Sequence, residues 1–353
     1  MPAPMIDWVI ADWVADRMAS RGGPATSTLA GIDLRPLAAD AEQRVVAYTG
    51  LVPSGPIPAP EGIDRREWAK TNLASTRAII EPLLDAAAGK LGPPKGTGRL
   101  WLGALSSAEI GLLIGFMAQR VLGQYELILL DELAAGHEPR LLFVLPNLAD
   151  AVGRFEANEL EFVTWVTLHE VTHAVQFGSV PWLREYVASQ IRELMESAQQ
   201  RIDVQKKTRF PSREELLRVG RAALRLDLLG MLGSQRERAV MDRAQAVMAV
   251  IEGHAEHVMD AVAPELLPSL PALRSAMDGR RKQQRGMTKY LGRLLGLEMK
   301  MRQYTQGKAF CDRIVAEAGT GALNHLFSGP QALPTLAEIS DPAAWLDRNR
   351  AHL

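Results

Sequence analysis

Thr167-Leu168-His169-Glu170-Val171-Thr172-His173-Ala174 sits inside Glu159 to Phe177, a stretch whose apolar residues recur at helical spacing. Residues four apart on an α-helix stand one above the other on one face. His169 and His173 therefore present two imidazole nitrogens to a common point, where a zinc ion about 2.0–2.1 Å from each fits. Glu170 lies about 100° round the helix from His169, placed to reach a water on such an ion without ligating it. Phe162, Val163, Trp165, Val166, Leu168, Val171, Ala174 and Val175 make the helix apolar on most sides, which predicts burial. Buried imidazoles need partners, and a metal supplies them. The plainer readings are two core histidines bonded to carbonyls, or a relic site that has lost its metal.

A hydrolytic zinc needs a third protein ligand and one open position. Cys311 is the single cysteine, so no intrachain disulfide can form, and the third ligand is expected from a carboxylate or another histidine. Downstream, the chain reads Ile251-Glu252-Gly253-His254-Ala255-Glu256-His257-Val258-Met259-Asp260. Glu252, Glu256 and Asp260 share one face of an otherwise apolar helix, an arrangement that is costly unless a positive charge sits there. Two registers are open. In one, Glu252 ligates and Glu256 supports a ligand histidine from outside; in the other, Glu256 ligates and Asp260 takes the outer place. Gly253 favours the first, because a residue without Cβ lets two helices approach closely. His254 and His257 read as core or surface histidines rather than ligands.

Around these two helices the chain is punctuated by proline and glycine at Leu51 to Gly62 and at Gly92 to Gly98. Helices are expected over Arg66 to Lys90, Ser106 to Leu122, Trp182 to Gln200, Arg213 to Leu232, Arg236 to Val262 and Thr288 to Ala318. Tyr125 to Leu130 and Leu141 to Leu145 suit short strands, buried or at a sheet edge. The expectation is a mainly α protein with a small β-sheet just before the His169 helix. It divides into an N-terminal helical region, residues 1–98, packed on a metallohydrolase domain, residues 99–353. Gly111 and Gly115, four apart, read as a close helix-packing face.

The 353 residues carry a net charge of −1, which argues against nucleic acid or an anionic membrane as partner. The basic run Arg280, Arg281, Lys282, Arg285 and Lys289 reads as a solvated face. The most apolar stretch, Ile110 to Ala118, is far short of the roughly 20 residues that span a bilayer. Asp7, Asp12 and Asp16 fall where a signal peptide would be basic and then apolar. A cytoplasmic location is the expectation.

His-Glu-x-x-His followed by a distant glutamate resembles the zincin superfamily, in particular its gluzincin branch, where a Glu-Gly or Glu-Ala pair on a later helix commonly carries the third ligand. Arg120-Val121-Leu122-Gly123-Gln124-Tyr125, Leu145-Pro146-Asn147 and Lys300-Met301-Arg302-Gln303-Tyr304-Thr305-Gln306-Gly307 narrow the likeness. With the two helix motifs they resemble a bacterial family of zincin-like proteins assigned as hydrolases and associated with biosynthesis of a deazaflavin coenzyme. The resemblance implies a zincin-like fold, a zinc site, and Glu252 as a ligand.

The expected chemistry is hydrolysis of a peptide or a small amide, with Glu170 as general base. Tyr304, in a helix with Lys300 and Arg302, is the candidate hydroxyl for the oxyanion. A competing reading is an inactive protein whose zinc only holds helices together. A free strand beside the site would suit an extended peptide, whereas a closed pocket would suit a small amide.

Overall fold

The computed structural model describes residues 6–21, 28–91, 97–126, 138–205, 235–268 and 297–353, with the backbone alone at 28, 30, 83, 85–91, 97–105, 198–205, 265 and 297–305. The expected helices of residues 213–232 and the basic run of residues 280–289 lie outside them. Helices predominate: α1 Trp8–Ala19, α2 Leu34–Thr49, α3 Arg65–Leu91, α4 Thr97–Ala118, α5 Leu145–Phe155, α6 Glu159–Ser179, α7 Pro181–Gln205, α8 Gln235–Val262, α9 Leu297–His325, α10 Leu336–Ser340 and α11 Pro342–Asn349. Three short strands, β1 Pro60–Ile63, β2 Gly123–Glu126 and β3 Arg140–Val144, precede α6 in the chain. The fold is thus mainly α with a small sheet ahead of the His169 helix, as the periodicity predicts. Among the described residues, no helix is long and apolar enough to cross a membrane.

Residues 1–41, 58–171 and 199–203 form one compact unit, and residues 42–57, 172–198 and 204–353 form another. In the first, the sheet order is β1-β3-β2, with β1 parallel and β2 antiparallel to β3. Leu141, Leu142, Phe143 and Val144 are fully buried, as expected of a strand covered on both faces. The strand expected over Leu141 to Leu145 is observed as β3, Arg140–Val144, at the centre of the sheet, and of its two readings the core one is observed. At the end of the proline-punctuated stretch, Pro60–Ile63 pairs with β3. Ile63, Leu142 and Val144 pack with Trp68 of α3 and Ala11 and Ala15 of α1. Gly111 and Gly115 are the packing face foreseen: a Cβ on Gly111 would come 2.4 Å from the Ala11 carbonyl oxygen.

β3 runs straight into α5, whose proline stands in the first turn, where its missing N–H goes unneeded. The sequence reading expected no helix over these residues. Asn147, buried, works as a clamp. Its Nδ2 donates to the Ala118 and Val121 carbonyls (2.8 and 2.7 Å), and its Oδ1 accepts from Arg65 Nε at 2.6 Å. It thereby fixes the chain that leaves α4 and enters β2.

In the second unit α8 and α9 touch backbone to backbone. A Cβ on Gly253 would lie 2.2 Å from the Gly307 carbonyl carbon, and one on Gly307 would lie 2.0 Å from the Ala249 carbonyl oxygen. Gly253 thus does permit close approach of two helices, but the neighbour it admits is α9, not the His169 helix. Val247, Ile251, Phe310, Ile314, Leu323 and Trp345 fill the core beside this crossing. α9 changes direction at Gly319, whose φ of +80° suits a residue without Cβ.

Asn147→Ala leaves two carbonyls and a guanidinium N–H without their partner. It is expected to lower unfolding stability by at least about 2 kcal/mol, read from urea denaturation. A loss near zero would show that water replaces the clamp.

Candidate metal centre

His169 and His173 stand one turn apart on α6, and together with Glu252 of α8 they form a group whose donor atoms all lie within 4.8 Å of one another. His173 Nε2 is 3.7 Å from Glu252 Oε2. Two ligands of a tetrahedral zinc, each about 2.0–2.1 Å from the ion, stand about 3.4 Å apart, so the donors have the spacing such an ion requires. The donor set fits as well: two imidazoles and one carboxylate are a known zinc ligand set that leaves a fourth position for water or substrate.

Gln176, fully buried one turn along α6, takes His173 Nδ1 at 2.9 Å on its Oε1. Its Nε2 donates to the Ile251 carbonyl at 2.9 Å and lies 2.8 Å from His254 Nδ1. His254 is fully buried, edge-on to the Phe327 ring. Burial first, then the neighbouring His257 and His173, pushes its pKa down to about 3, so it is neutral at pH 7. It faces Gln176, in keeping with its reading as a core histidine.

Glu170, 7% exposed, accepts the backbone N–H of Tyr125 on Oε2 at 3.0 Å. The space for this carboxylate comes from Gly123. A Cβ there would stand 2.6 Å from Glu170 Cγ and 3.0 Å from its Oε1. Antiparallel pairing of Gly123 with Phe143 and of Tyr125 with Leu141 holds the strand in this position.

Glu256, half-buried one turn beyond Glu252, lies outside the converging group. Asp260 pairs with Lys308 Nζ at 3.0 Å. Lys308 also reaches Asp312, which accepts from His257 Nδ1 at 2.7 Å, while Tyr48 Oη stands 2.8 Å from His257 Nε2. Burial alone would raise the Asp312 carboxyl, but hydrogen bonds from His257 and Lys308 outweigh it and hold it below the usual carboxylate range. His257 is thus satisfied by protein partners, as expected. Tyr304 lies on α9, and its side chain is outside the described residues.

The sequence reading missed Gly123, Tyr125 and Gln176. A glycine inside a strand often marks close approach of another group, and a glutamine three residues beyond a histidine shares its helix face. Both signals were present in the chain.

A family model described as zincin-like metallopeptidase matches residues 6–346. A search of curated proteins finds no match. Among solved structures, the chain is similar to a candidate hydrolase with a novel fold from Chloroflexus aurantiacus. The TM-score is 0.68 at 29% identity, covering 99% of this chain and 100% of that one.

Gly123→Ala is expected to cost about 1–3 kcal/mol by crowding Glu170. In a Glu170→Ala background, where the crowded atoms are gone, most of that cost should vanish. Chemical denaturation of the four proteins of the cycle measures the coupling. Additive effects would mean that Gly123 serves the strand and not the carboxylate.

Proposed function

The chain belongs to the zincin-like metallopeptidase family, and from that premise we propose that it is a zinc-dependent hydrolase of amide bonds, with His169, His173 and Glu252 as ligands and Glu170 as general base. The convergence of those three donors carries the reading. A zinc ion held there supplies Lewis acidity, polarising a carbonyl and making water a better nucleophile at neutral pH.

The chain's own groups do the rest. Glu170 follows His169 directly, so its carboxylate leaves the helix beside the ligand face. It is anchored through Oε2 by the Tyr125 N–H and works through Oε1. In the proposed reaction Oε1 takes a proton from the attacking water and returns it to the leaving nitrogen, a role worth roughly 10²–10⁴-fold in rate. Gln176 holds His173 from behind. Tyr304 remains the proposed oxyanion donor.

Peptides and small amides are the substrate classes to assay. The resemblance of the sequence motifs adds precursors of a deazaflavin coenzyme to the panel. Glu170→Gln is expected to bind one zinc per chain and to lose roughly 10²–10⁴-fold in turnover. Alanine at His169, His173 or Glu252 is expected to lose the metal as well. Metal analysis of the purified proteins and hydrolysis assays with such a panel read both effects. Full activity in Glu170→Gln, or wild-type protein without stoichiometric zinc after zinc-supplemented expression, would contradict the proposal.

A further inference from the structure

Three contacts to one amide determine the tautomers of two histidines. The Ile251 carbonyl oxygen only accepts hydrogen bonds, so the end of the Gln176 amide that faces it at 2.9 Å is the NH2 group. The other end is then the oxygen, which also only accepts, and it stands 2.9 Å from His173 Nδ1. His173 therefore carries its proton on Nδ1. In the neutral ring its Nε2, the nitrogen that faces Glu252 Oε2 at 3.7 Å, presents a lone pair. The second amide hydrogen points to His254 Nδ1, 2.8 Å away, which makes that nitrogen an acceptor and places the His254 proton on Nε2. Gln176 and His254 are both fully buried, so water does not compete for these bonds.

We propose that Gln176 is a positioning residue for metal binding, which sets His173 in its ligand tautomer and aims its Nε2 at the point where Glu252 converges. The inference rests on the zinc site proposed above. The amide does more than accept one proton. Through the Ile251 carbonyl it joins α6 to α8, the helix that brings Glu252, so ring direction and ligand distance are held by the same side chain. An imidazole without such a partner exchanges its proton between both nitrogens and turns about its χ2 bond. Part of its population then shows the metal an N–H instead of a lone pair. Loss of a partner of this kind behind a ligand histidine typically weakens metal binding about 10–100-fold.

The test uses the full chain and two readouts besides activity. Histidine ¹⁵N chemical shifts in the metal-free wild type report the tautomer directly, and His173 is expected with its proton on Nδ1. Zinc affinity is measured by competition with a chromophoric chelator. Gln176→Leu is expected to bind zinc about 10–100-fold more weakly and to show mixed His173 tautomers. Gln176→Glu still offers an oxygen to Nδ1–H, so it is expected to keep near-wild-type affinity even though its melting temperature falls. A residue with a merely structural role would lower the melting temperature in both variants and leave affinity and tautomer alone. If Gln176→Leu does not fold, the wild-type spectrum and Gln176→Glu decide. Wild-type affinity in Gln176→Leu, a His173 proton on Nε2 in the wild type, or loss of affinity in Gln176→Glu would overturn the proposal. Failure of the zinc site itself is a separate outcome: the wild type then binds no zinc, or His173→Ala binds it as well as the wild type does.

Discussion

Glu170 and His173 are polar groups set into a helix that is apolar on nearly every side, and a buried polar group left without a partner costs about 1–3 kcal/mol. Much of the local structure answers that requirement. The Glu170 carboxylate is met by a backbone N–H of β2, so β2 has to be held in register and in place. Pairing with β3 supplies the register. The Asn147 clamp on the Ala118 and Val121 carbonyls supplies the placement, at the point where the chain turns out of α4. His173 is met by Gln176, and Gln176 in turn by a carbonyl of α8. A helical carbonyl has a second lone pair beyond its ladder bond, and α8 uses one here to hold a side chain of α6.

Close approach is the second constraint. Glycine in a helix interior costs about 1 kcal/mol relative to alanine, so Gly253 and Gly307 need compensation from what their missing side chains permit. The contact distances show it: neither position has space for a Cβ. With α9 pressed against the Gly253 side of α8, the neighbouring Glu252 side, about 100° round the helix, is left for His173. Gly123 applies the same device to a strand, where the group admitted is a carboxylate.

How much of this was legible depends on the range of the signal. The helix that carries the candidate ligands is a local, periodic pattern, and its two histidines and glutamate were readable from eight residues. Glu252 was readable because acids at spacing four in an apolar helix are themselves anomalous. The reason given for preferring it, Gly253, had the right physics and the wrong neighbour, since helix faces can be read from sequence but the helix that meets each face cannot. The central position of β3 depends on β1, about 80 residues earlier, which paired from inside a stretch that looked like a linker. Helix α5 was not expected, because it follows β3 without a break and its one start signal is Pro146, which stands in the first turn. Gly123 and Gln176 were visible as residue types, but their roles follow from a strand and a carbonyl far away in the chain.

The two groups that face each other across the site, His173 and Glu252, have a consequence for stability. His173 Nε2 and a carboxylate oxygen of Glu252 stand 3.7 Å apart in a half-buried place, where charge interactions are stronger than in water. The anchor behind His173 opposes turning of the ring, because the ring would have to surrender its bond to a buried amide. A cation bound at the proposed site would meet donors already in place and have little ordering to offset. It would also bind the folded chain in preference to the unfolded one, which raises stability by mass action. In the proposed site, metal and fold would be coupled through Gln176 and Glu252, with a strength that depends on how firmly the ring is held from behind as well as on the number of ligands.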